Sequence, residues 1–386
     1  MRVGYLAAGN GLRAFAALSV VLYHAAYAAA LTAAGVQGYS AGASGVFVDR
    51  FGRAGRVLEN ANVGVYVFFA LTGYFVGGPF VRAWIDGRRG PAIRAYLGRR
   101  VRRIVPAFWL FALASILVLH ARGNSAADVA SVLLFVQNQH PSIAGLAIVQ
   151  AWTLDIEAAF YLSLPLLALL VARVPGRRVD RRGRLLIFLC CLAAVAIGSL
   201  VLQPVFPSVA SRLSLSLPAI AWAFVPGLAL AAVEPWVREW PLARLGRGLA
   251  VALLGACAIA ALGVVHFGPA DHVARSVAVA SFSGLLLAAA LVWQWTTGGA
   301  PRWAVHPVAD ALGRWSYGIY LAHFAISVEL FKLVPDGTSA WRSLALVLPV
   351  LVALTVAVAA VSWRFVERPI LEGRRRVRLE PAPVVP

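Results

Sequence analysis

Long apolar runs alternate along the chain with short, arginine-rich polar connections, and this alternation predicts the elements. Apolar stretches occupy 6–31, 62–81, 104–121, 150–172, 185–202, 213–233, 248–266, 273–295, 312–333 and 343–364. Each is close to the roughly 20 residues that a helix needs to cross a hydrocarbon layer about 30 Å thick. The pattern therefore predicts an all-α, polytopic membrane protein with about ten transmembrane helices. The first run is too long for a signal peptide and lacks a convincing cleavage site, so it is expected to stay as an anchor. The apolar stretch 129–136 is too short to span and is expected to be interfacial or re-entrant. The connection 32–61 is rich in Gly and Ala and is expected to order partly against the outer surface.

Composition agrees: 61% of residues are hydrophobic and 13% charged, which excludes an ordinary soluble domain. The net charge of +19 would by itself point to nucleic acid. Its placement does not. Basic residues gather in alternate connections, 82–103, 173–184, 234–247, 296–314 and from 364 onward. Positive charge kept on the cytoplasmic side sets orientation, so both termini are expected to be cytoplasmic, with no nucleic-acid partner. Residues 1–370 read as one transmembrane unit, and 371–386 as a basic, then Pro-rich tail expected to be disordered. Cys190, Cys191 and Cys257 fall inside apolar runs at no metal-ligand spacing. No internal repeat is visible, which weakens a transporter reading without removing it.

Ionisable residues inside apolar runs are costly and mark candidate function. In the first run Arg13 and His24 are eleven positions apart. At about 100° per residue they share one helix face, separated by about 16 Å along the axis. Glu157 lies in the fourth run at a depth like that of His24, where a carboxylate would fix the tautomer of an imidazole. Asp155 is nearer the helix end and reads as solvated. Ser316, Tyr320 and His323 recur at i, i+4 and i+7 and line one face, and for Tyr320 a plain polar seam is the stronger account. Thr72 ends an aromatic stretch and precedes Gly73. Arg99, Arg100, Arg102 and Arg103 crowd the cytoplasmic entrance of the third run, where guanidinium suits phosphate and equally suits lipid headgroups. Anion-binding groups at the inner mouth, with histidines and a carboxylate deeper in, suit a charged cytosolic donor. A proton-coupled transporter or flippase is also compatible.

These segments, in this order, resemble the acyltransferase-3 family of membrane O-acyltransferases. The resemblance rests on Arg13 with His24, on 63–74, on 99–106, on 152–161, on 316–323 and on Ser362-Trp363-Arg364-Phe365-Val366-Glu367-Arg368-Pro369. Three positions depart from its common pattern: Asn10 for Asp, Thr72 for Ser and Tyr74 for Phe. Some relatives append an SGNH-type hydrolase domain, and this sequence is expected to lack one. The resemblance implies transfer of an acyl group, usually acetyl, from acyl-CoA to a cell-surface glycan, lipid-linked sugar or glycosylated metabolite at a bacterial-type cell membrane. On that basis His24 is the expected general base, with Glu157 orienting it. Arg13, Arg99, Arg100, Arg102 and Arg103 would hold acetyl-CoA or another acyl-CoA. Ser316, Tyr320, His323 and Thr72 would contact the acceptor, and no metal is expected. Direct transfer and an acyl-histidine intermediate both stay open.

Overall fold

The computed structural model describes residues 4–36, 45–118, 125–139, 149–172, 179–205, 215–239, 242–267 and 271–377. Among these residues there are helices and no strands. The first five principal helices are α1 (Gly9–Ala33), α2 (Val63–Thr72, continued through a π-helical turn Gly73–Gly77 into Gly78–Ile85), α3 (Ile93–Val118), α4 (Trp152–Ala172) and α5 (Arg181–Val205). They are followed by α6 (the bent pair Leu217–Ile220 and Val225–Val237), α7 (Leu242–His266), α8 (His272–Thr297), α9 (Pro307–Phe331) and α10 (Ala340–Ser362). A second π-helical turn, Trp363–Glu367, leads from α10 into α11 (Arg368–Val377).

The chain is a polytopic, all-helical membrane protein. Every apolar run expected to span falls on one of α1 to α10. Among the described residues, seven helical segments are long and apolar enough to cross a membrane, and eight if the pair in α6, bent by 49°, is one span. The other two, α3 and α9, have the length but carry charge. Arg94, Arg99, Arg100, Arg102 and Arg103 sit on α3, and Asp310, Arg314 and Glu329 on α9.

The stretch around 129–136 forms a short helix, Ala126–Leu133, closed at its start by a capping box between Ser125 and Asp128. Within the connection between α1 and α2, two short helices form, Val46–Phe51 and Arg53–Glu59. The helix α11 continues to Val377, into the stretch expected to be disordered, with Arg368 bonded to Glu372 at 3.0 Å. The remaining tail, 378–386, lies outside the described residues.

Position in the bundle follows side-chain size. On α5, α7 and α10, large apolar residues such as Ile197, Ile259, Leu262, Leu346 and Val361 face outward, as lipid contact requires. Cys190 and Cys191 are exposed on α5, and Cys257 is buried on α7. By contrast, α1 is rich in Ala and Gly and is buried along most of its length. Small residues let backbones approach where lipid supplies no hydrophobic drive. A Cβ at Gly64 would lie 2.2 Å from the Ala16 carbonyl oxygen, and one at Gly227 only 1.8 Å from that of Ala70. These contacts press α2 between α1 and α6.

A polar clamp fixes the start of α1. Glu234 on α6, 1% exposed, accepts from the Gly4 backbone N–H at 3.2 and 3.1 Å and from the Tyr74 hydroxyl at 3.0 Å. Arg82 and Arg238 stand at 3.6 and 3.8 Å from its oxygens. Gln294 on α8 holds the Tyr5 carbonyl at 2.9 Å and the Ala7 N–H at 2.5 Å. The hydroxyl of Tyr74, one of the departures noted in the sequence, thus has a buried partner. Asn10, another, donates to Asp310 at 2.7 Å and joins α1 to α9.

Candidate active site

Because α1 and α9 pack closely through their small residues, two imidazoles meet between them. His24 Nδ1 and His323 Nε2 are 3.1 Å apart. His24 Nδ1 also lies 3.1 Å from the Val20 carbonyl, and His323 Nδ1 lies 3.2 Å from that of Ile319. A carbonyl only accepts, so His323 Nδ1 carries the proton and donates to Ile319. Its Nε2 is then an acceptor and takes the proton of His24 Nδ1. This chain leaves the basic lone pair of His24 on Nε2. His323 is fully buried, whereas His24 is half-buried, so the outward member of the pair is His24. Tyr23 and Phe324 set their ring edges against His24 at 5.0 and 5.7 Å.

A cavity of about 120 Å³ runs between α1, α2, α3, α4 and α9. Three arginines line it, each held differently. The Arg13 guanidinium lies over the Phe75 ring at 5.6 Å and is hydrogen-bonded to no carboxylate among the described residues. That of Arg100 is 5.9 Å from the Tyr161 ring, and its buried Nε has no hydrogen-bond partner among them. Arg103 is bonded to Glu367 at 3.4 Å and flanked by Tyr317 at 5.8 Å and Trp363 at 5.7 Å. Glu157 accepts from Thr72 Oγ1 at 3.0 Å and from the Tyr161 hydroxyl at 2.8 Å, within charge-interaction range of Arg100 and Arg13. Farther along the wall, Thr153 and Tyr320 share a 2.7 Å hydrogen bond. The Tyr320 ring is 5.7 Å from that of His323, so Tyr320 separates the cavity from the histidine pair.

Of the residues singled out in the sequence, the cavity gathers Arg13, Arg100, Arg103, Thr72, Glu157, Ser316 and Tyr320. His24 and His323 stand behind Tyr320. Arg99 is exposed and Arg102 half-buried, and neither lines the cavity. The expected pairing of Glu157 with His24 is replaced. Both oxygens of Glu157 are engaged by Thr72 and Tyr161, and His323 orients His24 instead. Asp155, expected to be solvated, is 6% exposed and accepts from the Asn138 backbone N–H at 2.9 Å. Tyr161 and Glu367 went unassigned in the sequence. A spacing of i, i+4 from Glu157 could have pointed to Tyr161, whereas nothing local ties Glu367 to Arg103, 264 positions away. Among the described residues, no group of three or more His, Cys, Asp or Glu side chains is placed to hold a metal ion.

No solved structure matches the chain. Among curated proteins it is 24% identical to the peptidoglycan O-acetyltransferase OatA of Listeria monocytogenes, over 95% of this chain and 56% of that protein. The chain therefore spans little more than half the length of that relative. It is 27% identical to the acyltransferase MdmB of Streptomyces mycarofaciens, over 97% of this chain and 94% of that protein. The family model described as an acyltransferase domain matches residues 7–364, from the start of α1 to the end of α10. With its cavity, arginines and histidine pair all inside that match, the chain belongs to the acyltransferase-3 family.

Proposed function

We propose that the protein is an integral-membrane O-acyltransferase that moves an acyl group, in the first instance acetyl, from cytosolic acyl-CoA to a hydroxyl. The acceptor is a glycan, lipid-linked sugar or glycosylated metabolite. The chain lies in a bacterial-type cell membrane with ten spans and both termini in the cytosol. One observation carries this reading: a cavity lined by two arginines that bond no carboxylate among the described residues and walled by Tyr320, whose ring lies against His323, the partner of His24. The name of the Listeria relative favours acetyl as the group moved and a glycan as acceptor.

Arg13 and Arg100 carry charge that no bonded carboxylate offsets, which suits an anionic donor, while Arg103 is already engaged by Glu367. Glu157 balances part of this charge and holds Thr72 and Tyr161 in place. The cavity volume suits the acyl-thioester end of the donor, with the nucleotide left at the mouth. His24 Nε2 takes the proton of the acceptor hydroxyl as its oxygen bonds to the thioester carbonyl carbon. The carbon–sulfur bond then breaks, and the sulfur leaves as the CoA thiol with the proton that His24 returns. The Ser316 hydroxyl, which lines the cavity, is positioned to donate to the oxyanion that forms in between. In the covalent route Nε2 attacks the carbonyl carbon and CoA leaves as its thiolate. The acceptor oxygen then takes the acyl group from the acyl-histidine, its proton passes to the thiolate, and Nε2 is regained.

The test uses inside-out membrane vesicles with labelled acetyl-CoA at the exposed cytoplasmic face and native glycan-lipid extract. Wild type should label the extract, and His24→Ala should not. Equal labelling by both would remove His24 from the chemistry. Substrate counterflow without any acyl donor, together with no labelling, would replace the enzyme by a transporter.

A further inference from the structure

At the end of α4 opposite its Ala172 terminus lies a buried polar cluster that the acyl-transfer step does not use. Asn138, on the short turn Gln137–Gln139, donates through its backbone N–H to Asp155 Oδ2 at 2.9 Å. Its side-chain Nδ2 donates to the carbonyls of Trp152 and Leu215, both at 2.8 Å. Gln150 donates to the Leu321 carbonyl at 3.1 Å. The side-chain amides of Asn138 and Gln150 are thus both directed at protein carbonyls. Their other oxygens are not so served. Asn138 Oδ1, Gln150 Oε1 and Asp155 Oδ1 are buried and complete no well-formed hydrogen bond among the described residues, although the Gln137 backbone N–H also approaches the Asp155 carboxylate. The three residues are 2%, 1% and 6% exposed. Orphaned buried acceptors are rare and call for an occupant.

The surroundings narrow what the occupant is. Half-buried Trp152 and Tyr66 flank the Phe69 ring at 6.5 and 6.3 Å. Tyr66 stacks on Trp222 at 5.1 Å, and the buried Trp222 Nε1 has a proton and no acceptor among the described residues. The three oxygens need donors, which an anion does not bring. A hydroxyl both donates and accepts. Aromatic faces beside such hydroxyl partners suit the C–H face of a sugar ring. The cluster also adjoins the reaction path, since the Tyr320 hydroxyl donates to the Gln150 carbonyl and lines the cavity.

We infer that Asp155, Asn138 and Gln150, with the Trp152 and Tyr66 rings, form the subsite that receives a hydroxylated sugar ring of the acceptor. This rests on the acyltransferase reading for the role of the sugar, not for its binding. The decisive variant is Asp155→Asn. Its amide oxygen keeps the bond from Asn138, and only the orphaned oxygen becomes a donor.

Full-length protein in nanodiscs, with no acyl donor, is incubated with radiolabelled native glycan-lipid extract, and retention is measured beside binding of labelled acetyl-CoA. Wild type should retain the glycan-lipid, Asp155→Asn about tenfold less, and Tyr66→Phe about threefold less, with acetyl-CoA bound equally by all three. Equal retention by wild type and Asp155→Asn, or retention by neither, overturns the subsite. So does loss of acetyl-CoA binding in parallel, which would mean a merely structural Asp155. A calcium- or sodium-dependent rise in melting temperature seen in wild type and absent in Asp155→Asn, with glycan retention unchanged, would assign the cluster to a cation. Glycan retention without acyl transfer in the vesicle assay would sink the acyltransferase reading and leave the sugar site standing.

Discussion

The two ends of the polar path are built on opposite plans. At one end, Arg13 and Arg100 bring positive charge into the bundle and leave it without a carboxylate bonded to either. At the other, His24 and His323 form a neutral relay in which each imidazole is fixed by its neighbour and by a backbone carbonyl. Unpaired charge inside a membrane protein is costly and is retained where a counter-charge arrives with a ligand. A hydrogen-bonded neutral pair is instead suited to giving and taking a proton, because its geometry is set before substrate enters. On the proposed function the difference separates holding the donor from activating the acceptor, and it makes the two ends separately breakable.

The sharpest way to break the contrast is at the histidines. His24→Ala should lower turnover about 10³-fold while acetyl-CoA binding is unchanged, read from single-turnover rates beside equilibrium binding. Lost binding would mean that the two ends are not separate. His323→Ala should lower kcat by about 10²-fold, less than His24→Ala, because it removes the orienting partner and spares the base. The arginine end should respond in the other parameter. Arg13→Ala and Arg100→Ala should each raise KM for acetyl-CoA about tenfold or more with kcat little changed. Arg99→Ala should leave KM near wild type, since that side chain faces away from the cavity. The smallest effect is structural: Thr72→Val loses the bond to Glu157 and should cost about 1 kcal/mol of stability, whereas Thr72→Ser keeps it, as thermal unfolding in detergent would show.

Much of the fold was legible in the sequence because a membrane forces each span to satisfy its own backbone and to show apolar length. All ten apolar runs lie on helices, including α3 and α9, whose charges hide them from a composition test. The face shared by Ser316, Tyr320 and His323 was readable from local spacing. What stayed hidden depends on partners far away in sequence. His24 and His323 are 299 positions apart, and no periodicity on α1 announces which ring meets its imidazole. Glu157 was assigned to His24 by depth alone, but depth does not fix azimuth, and its face turns to Thr72 and Tyr161. Asp155 was misjudged for the same reason. Its position near a helix end suggested water, and the turn carrying Asn138 covers it.

The wide turn Gly73–Gly77 in α2 has a consequence for how the chain tolerates change. A π-turn stores one residue more than an α-turn needs, as a pleat stores cloth. Deleting a residue within it would tighten the turn to regular helix and leave both flanks aimed as before, Thr72 toward Glu157 and Arg82 toward Glu234. The same deletion at Val67, in regular helix, would swing everything from Phe68 onward by about 100° against the start of α2, so Gly64 against Ala16 and Thr72 against Glu157 could not both keep their partners. In α2, therefore, length is adjustable at the turn that itself carries Tyr74 to the clamp at the start of α1 and Phe75 to the wall of the cavity.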